Sequence, residues 1–141
     1  MTNTLPAATP AATPPAASTG VILLSHGSRD PLWRAPLEAV QALIARTQPA
    51  LPCCSAYLEL TPPSLAEAAE QLIAQGVTQL RITPLFLGTG THARKDIPQL
   101  VAELRSRHPE IHVEVQPSVG EDPRLTALLA QIATEHGTAS G

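Results

Sequence analysis

Aromatic side chains are nearly missing: the 141 residues include one Trp, one Tyr and one Phe. The apolar share is nevertheless 43 % and includes 22 Ala, 19 Leu, 7 Ile and 7 Val. Such a core is built from branched aliphatics packed with alanine, as where helices lie on a sheet. A fibre, a collagen or an all-β sandwich does not fit this composition. Lysine is equally scarce. Lys95 is the single one, the eight arginines are scattered and the net charge is −3, so the basic face that nucleic acid requires is not there. Cysteine is limited to Cys53 and Cys54. Adjacent residues of a strand point to opposite faces, so these two neither bond to each other nor share a metal, and they read as small strand residues.

Two further absences concern the chain ends and membranes. No stretch approaches the roughly 18 to 20 apolar residues of a membrane span. No charged residue precedes Arg29, and residues 1–20 are almost wholly Ala, Pro, Thr and Ser, with four prolines in the first fifteen. A secretory signal needs a basic start followed by an apolar run, and neither is present. The expectation is a disordered, polyproline-like tail over 1–20, a folded unit over 21–136 and a flexible end over 137–141, in a cytoplasmic protein. The folded part, about 120 residues, is the usual size of one domain.

Past the tail, strand and helix signals alternate. Val21 to Leu24 is a continuous apolar run, as in a strand covered on both faces. Leu37, Val40, Leu43 and Ile44 recur at helical spacing up to Pro49, and residues 54–60 read as a second strand. Ser64 and Glu67 form a capping box for a helix with Leu65, Ala68, Ala69, Leu72 and Ile73 as its stripe, closed by Gly76. Gln79 to Leu85 is a third strand, running into a loop from Phe86 to Lys95. Asp96 and Gln99 have the spacing that starts a third helix, which carries Leu100, Val101 and Leu104. Ile111 to Val115 alternates like an edge strand, with His112 and Glu114 turned away from the core. Asp122 and Pro123 open a last helix with Leu125, Leu128, Leu129 and Ile132 as its stripe. The βα alternation predicts an α/β fold: a single four-stranded parallel sheet, order 2-1-3-4, with helices on both faces and right-handed crossovers.

In such a sheet ligands bind beyond the carboxyl ends of the strands, where the strand order reverses. That crevice lies between the loops after strands 1 and 3. One loop carries His26 within Ser-His-Gly-Ser-Arg-Asp, and the other carries His92 after Gly88-Thr89-Gly90-Thr91. Two imidazoles so placed can share one metal ion. Glu59, at the end of strand 2, is placed to be a third ligand or an orienting partner. His108, His112 and His136 fall at a helix end, on an edge strand and near the C-terminus, and read as surface residues. The glycine loop matches neither a dinucleotide fingerprint nor a P-loop, because no Gly-Lys-Ser/Thr closes it. Its glycines let the backbone approach something large and flat, or let the loop move.

Three stretches are jointly distinctive: LLSHGSRDP from Leu23, YLEL-x-x-PSL from Tyr57, and PLFL-x-x-G-x-H-x-x-x-DIP from Pro84. Together they resemble the short form of the sirohydrochlorin cobaltochelatase family of tetrapyrrole metal chelatases. The resemblance runs from Val21 to His136, and its third element is the most specific. It implies insertion of cobalt or iron, as substrate and with no permanently bound cofactor, into sirohydrochlorin on the way to cobalamin or sirohaem; nickel suits the same nitrogen ligands. It makes His26 the metal ligand and proton acceptor and His92 the other metal ligand, and it sets Leu87, Gly88, Thr89, Gly90 and Thr91 against the macrocycle. Arg29, Arg94 and Lys95 are then electrostatic partners for the ring's acetate and propionate groups. Members of this kind often have two such lobes around the ring, so a one-lobe chain is expected to pair with itself as a homodimer.

Two other readings start from the same residues. Histidine phosphatases also place His-Gly after strand 1, but they need an arginine just before that histidine, and here the residue is Ser25. A non-catalytic carrier of metal or tetrapyrrole would use the same two histidines, and a stoichiometric complex without turnover would identify it.

Overall fold

The β1 strand, Thr19–Ser25, sits in the middle of the molecule because Val21 to Ser25 are buried on both faces. It pairs in parallel with β2 (Cys53–Tyr57) on one side and with β3 (Gln79–Pro84) on the other, and β4 (His112–Val115) completes the order β2-β1-β3-β4. The helices are α1 (Pro31–Thr47), α2 (Leu65–Ala74), α3 (Thr91–Arg107) and α4 (Pro123–Thr134), with a 3-10 turn at Val119–Glu121 before α4. These coordinates come from a computed structural model that describes residues 18–135. The expected parallel sheet and its strand order are therefore found. The expectations for 1–17, His136 and 137–141 lie outside the described residues, whereas Thr19 and Gly20 belong to β1, pairing with Gln79 and Leu80 rather than to a tail.

Strand alternation decides which helix covers which face. The Ser55 hydroxyl donates to Gln41 of α1 at 2.7 Å, and the Sγ of its neighbour Cys54 lies 3.9 Å from the Ala68 carbonyl of α2. Neighbouring residues face opposite ways, so α1 and α2 flank the sheet. On the α2 side, Ile22, Leu24, Ala56, Leu80, Ile82 and Val113 meet Leu65, Leu72, Ile97, Val101 and Leu104 in one continuous core. On the other side α1 covers only part of the sheet, and the surface of β3 and β4 beyond it is polar. Arg81 and Glu114 pair there at 3.5 Å, and Thr83 bonds Gln116 at 2.5 Å.

Local chemistry sets most boundaries. Both bonds of the Ser64–Glu67 capping box are made, and Gly76 ends that helix at φ +97°. The Asp30 and Asp122 side chains each cap the helix that follows with a proline at its first position. Four expectations need correction. β2 ends at Tyr57, three residues early, because Leu60 turns the chain at φ +68°. α3 begins at Thr91 rather than near Asp96, so His92 lies in its first turn. Gly90 caps it without a side-chain bond, and Pro98, suited to the start of a helix, falls inside it. The stripe of α4 is not docked: none of its residues is buried, and Leu128, Leu129 and Ile132 stay 40–58 % exposed. Finally, His108 is half-buried at the end of α3, its Nε2 enclosed and without a partner, rather than on the surface.

The cysteines behave as their positions suggested. Burial raises the Cys53 thiol and, with the neighbouring Cys53 adding to it, lifts Cys54 to about 11. At pH 7.5 Cys54 then carries about a hundredfold less thiolate than an ordinary cysteine, and thiolate is the reactive form. Iodoacetamide is expected to label the folded protein far more slowly than the denatured chain, as counted by mass spectrometry. Two rapidly labelled thiols in the folded protein would contradict this.

Candidate active site

Strand β1 delivers its last buried residue, Ser25, to the rim of the sheet, and the next residue, His26, is exposed there. Its ring is braced by Phe86, which follows β3, with centroids 4.5 Å apart and planes tilted by 48°. Phe86 itself is buried, so the imidazole rests on a fixed aromatic floor with its other side toward solvent. This is the switch point: β1 and β3 are hydrogen-bonded neighbours, but the chain leaves β1 for one side and reaches β3 from the other.

Glu59 joins His26 through the backbone, its N–H donating to the His26 carbonyl at 3.0 Å. Gly27 makes that approach possible. It stands at φ +107°, and a β-carbon there would overlap the Glu59 carbonyl oxygen. The turn is stitched further by a Leu58 N–H donating to the Ser25 carbonyl (2.9 Å) and by the Thr61 hydroxyl donating to the Ser28 carbonyl. Leu60, exposed and held at positive φ, stores backbone strain beside these residues. His26 and Glu59 are thus brought together by the main chain. His92 lies exposed in the first turn of α3, and among the described residues no three His, Cys, Asp or Glu side chains gather closely enough to hold a metal ion.

The glycine loop is anchored rather than free. The Gly120 N–H donates to the Phe86 carbonyl at 3.0 Å, and Gly120 has no room for a β-carbon because the Leu87 backbone lies against it. The Thr89 and Ser118 hydroxyls bond at 2.6 Å. Arg94, expected as an electrostatic partner for the ring's acid groups, donates to the Thr89 carbonyl at 2.8 Å and clips the loop to the first turn of α3. Above this pinned strip the surface is open: Leu87 is 68 % exposed, and nothing lies within 4 Å of where a β-carbon would sit on Gly88 or Gly90. Arg29 and Lys95 are exposed. Arg29 borders a groove of about 650 Å³ whose walls include Arg34, Tyr57, Leu60 and Thr61. Sequence reasoning found His26, Glu59, His92 and the loop. It missed Phe86, Leu60 and Gly120, whose roles arise from contacts between distant segments and leave no local pattern.

The family model described as CbiX matches residues 20–136. A sirohydrochlorin cobaltochelatase from Saccharolobus solfataricus is 29 % identical over 122 residues, covering 82 % of this chain and 94 % of that protein. A sirohydrochlorin ferrochelatase from Priestia megaterium is 31 % identical over 120 residues, again 82 % of this chain but 43 % of its own length. Among solved structures, a CbiX protein assigned to cobalamin (vitamin B12) biosynthesis in Marinobacter aquaeolei VT8 superposes with a TM-score of 0.67. It is 33 % identical, over 82 % of this chain and 93 % of that one. The sirohydrochlorin chelatase SirB from Bacillus subtilis subspecies spizizenii, in complex with cobalt, gives a TM-score of 0.70 at 26 % identity, over 82 % of this chain and 50 % of that one. The chain thus spans nearly all of the short relatives and about half of the long ones. With the strand order, the rim histidine and a family match over nearly every described residue, the chain belongs to the CbiX family.

Proposed function

We propose that the protein inserts a divalent metal, cobalt or iron, into sirohydrochlorin, on the route to cobalamin or sirohaem. The observation that carries this is the exposed His26 imidazole, braced on Phe86 at the switch point beside an open, pinned strip of backbone. The names of the relatives support the same substrate and both metals. A metal ion enters the ring only as two pyrrole N–H protons leave, so the site needs a base that also releases the metal. Imidazole works near neutral pH and binds borderline ions reversibly, whereas a thiolate would retain them. His26 is the ligand and proton acceptor, His92 the second ligand, and Glu59 a further ligand or an orienting partner. The exposed strip from Leu87 to Thr91 supports the flat face of the macrocycle. Among the described residues no three such ligands converge, which suits a site that passes its metal on, with the ring nitrogens completing the coordination. Two copies of the chain act together, each lending one wall of the cleft.

Anaerobic insertion followed by absorbance tests this directly. With cobalt, iron or nickel offered in turn, at least one is expected to enter sirohydrochlorin over many turnovers and faster than without protein. A stoichiometric complex without turnover would establish the carrier reading instead. Losing even an outer-shell partner of a metal ligand costs about 10- to 100-fold in affinity. His92→Ala is therefore expected to raise the metal concentration at half-maximal rate by at least that factor. An unchanged metal requirement would remove His92 from the ligand set.

A further inference from the structure

Leu60 is held in a conformation that leucine avoids. The Thr61 N–H donates back to the Glu59 carbonyl at 2.8 Å, closing a three-residue turn with Leu60 at its centre and φ at +68°. A γ-turn of this sense is rare and strained, and glycine or asparagine holds positive φ at lower cost. The turn is fixed from outside: the Glu59 N–H donates to the His26 carbonyl at 3.0 Å, and the Thr61 hydroxyl to the Ser28 carbonyl. The leucine side chain returns little to the fold, because it stays 51 % exposed and stands outside the core. Strain that the surroundings enforce, on a side chain that packing does not need, points to function rather than folding.

Its place on the rim says which function. Leu60 follows Glu59 and lies three residues beyond β2, Leu87 follows Phe86 and lies three residues beyond β3, and His26 follows β1 between them. The ends of β2 and β3 are two strand spacings apart, about 10 Å. Among the described residues the other exposed large apolar side chains sit on α1 or α4, so Leu60 and Leu87 are the rim's own pair. We propose that Leu60 is a binding residue for the tetrapyrrole: the flat face of the ring rests on Leu60 and Leu87, with the His26 imidazole between them. This rests on the chelatase reading above and extends the platform from the Leu87–Thr91 strip to the β2 side. Two branched aliphatic side chains give a conjugated ring dispersion contact without competing for its acid groups. Leu60 also borders the groove that Arg29 and Arg34 line, which leaves room beyond it for an acidic arm of the ring.

The test is binding of metal-free sirohydrochlorin, titrated by absorbance and fluorescence with no turnover required. Leu60→Asn keeps a residue that accepts positive φ and removes the apolar branch. About half of the leucine is left for the ring to cover, so this variant is expected to bind the ring about 3- to 10-fold more weakly. Its Tm should hold or rise, because the strain is eased. Leu60→Met, which keeps the apolar volume, should bind as the unaltered protein does. The metal concentration at half-maximal insertion should not move in either variant, which separates Leu60 from the metal ligands. Undiminished ring binding by Leu60→Asn overturns the inference, and so does a Tm lower by more than about 5 °C, which would place the side chain in the fold. A mass in solution that changes with Leu60→Asn while ring binding does not would assign the side chain to a contact between copies and overturn it equally. No ring binding by the unaltered protein overturns the chelatase reading and this inference together. Ring binding that depends on Leu60 but leads to no metal insertion upholds the inference and counts against the chelatase reading alone.

Discussion

His26→Ala is expected to reduce metal insertion to the uncatalysed rate while the protein stays folded. A positioned general base contributes about 10²- to 10⁴-fold, and the same substitution removes a metal ligand, so the two losses compound. The fold is spared because His26 is exposed and is held chiefly by its contact with Phe86. That contact contributes about 0.5–1.5 kcal/mol, so the melting curve should move by only a few degrees. Insertion in the variant at the rate of the unaltered protein would sink the assignment of the base.

Gly27→Ala should act through the backbone and affect both properties. At φ +107° any residue with a β-carbon is strained, and here that carbon also meets the Glu59 carbonyl. Strain of this kind costs about 1–3 kcal/mol before the overlap is relieved. Relief requires the β1–α1 turn to move away from Glu59, which breaks the 3.0 Å bond between Glu59 and His26. We expect Tm to fall by roughly 5–15 °C, together with a loss of insertion. The contrasting change is Gly88→Ala. Open space surrounds that position and its φ is not positive, so stability should hold. Equal destabilisation by both substitutions would show that the close approach at Gly27 is not what the fold requires.

Much of this architecture could be read before the structure. Ser64 with Glu67, and Asp122 with Pro123, are side-chain signals, and the helices begin where those residues say. The start of α3 escaped because Gly90 caps it with no side chain, while Asp96 and Pro98 imitate a later start. Leu128, Leu129 and Ile132 have the periodicity of a buried face. Periodicity reports that a stripe exists, not whether the chain's own core receives it. In the site, His26 and His92 were legible because topology alone puts strand ends at a rim. The bond from Glu59 to His26, the Phe86 floor and the Gly120 support join segments 30 or more residues apart, and no local spacing encodes them.

The rim of β2 has one more consequence. This edge strand turns hydrogen-bonding groups outward, yet the Tyr57 N–H is already taken by the Pro63 carbonyl at 2.9 Å, and the Cys53 carbonyl receives the Gln41 amide. An incoming strand would have to displace both before the sheet could grow on that side. Sheet-to-sheet joining, the route by which open edges seed fibres, is thereby discouraged. On the β2 side the molecule can display apolar helices to its surroundings while denying them a template for β-aggregation.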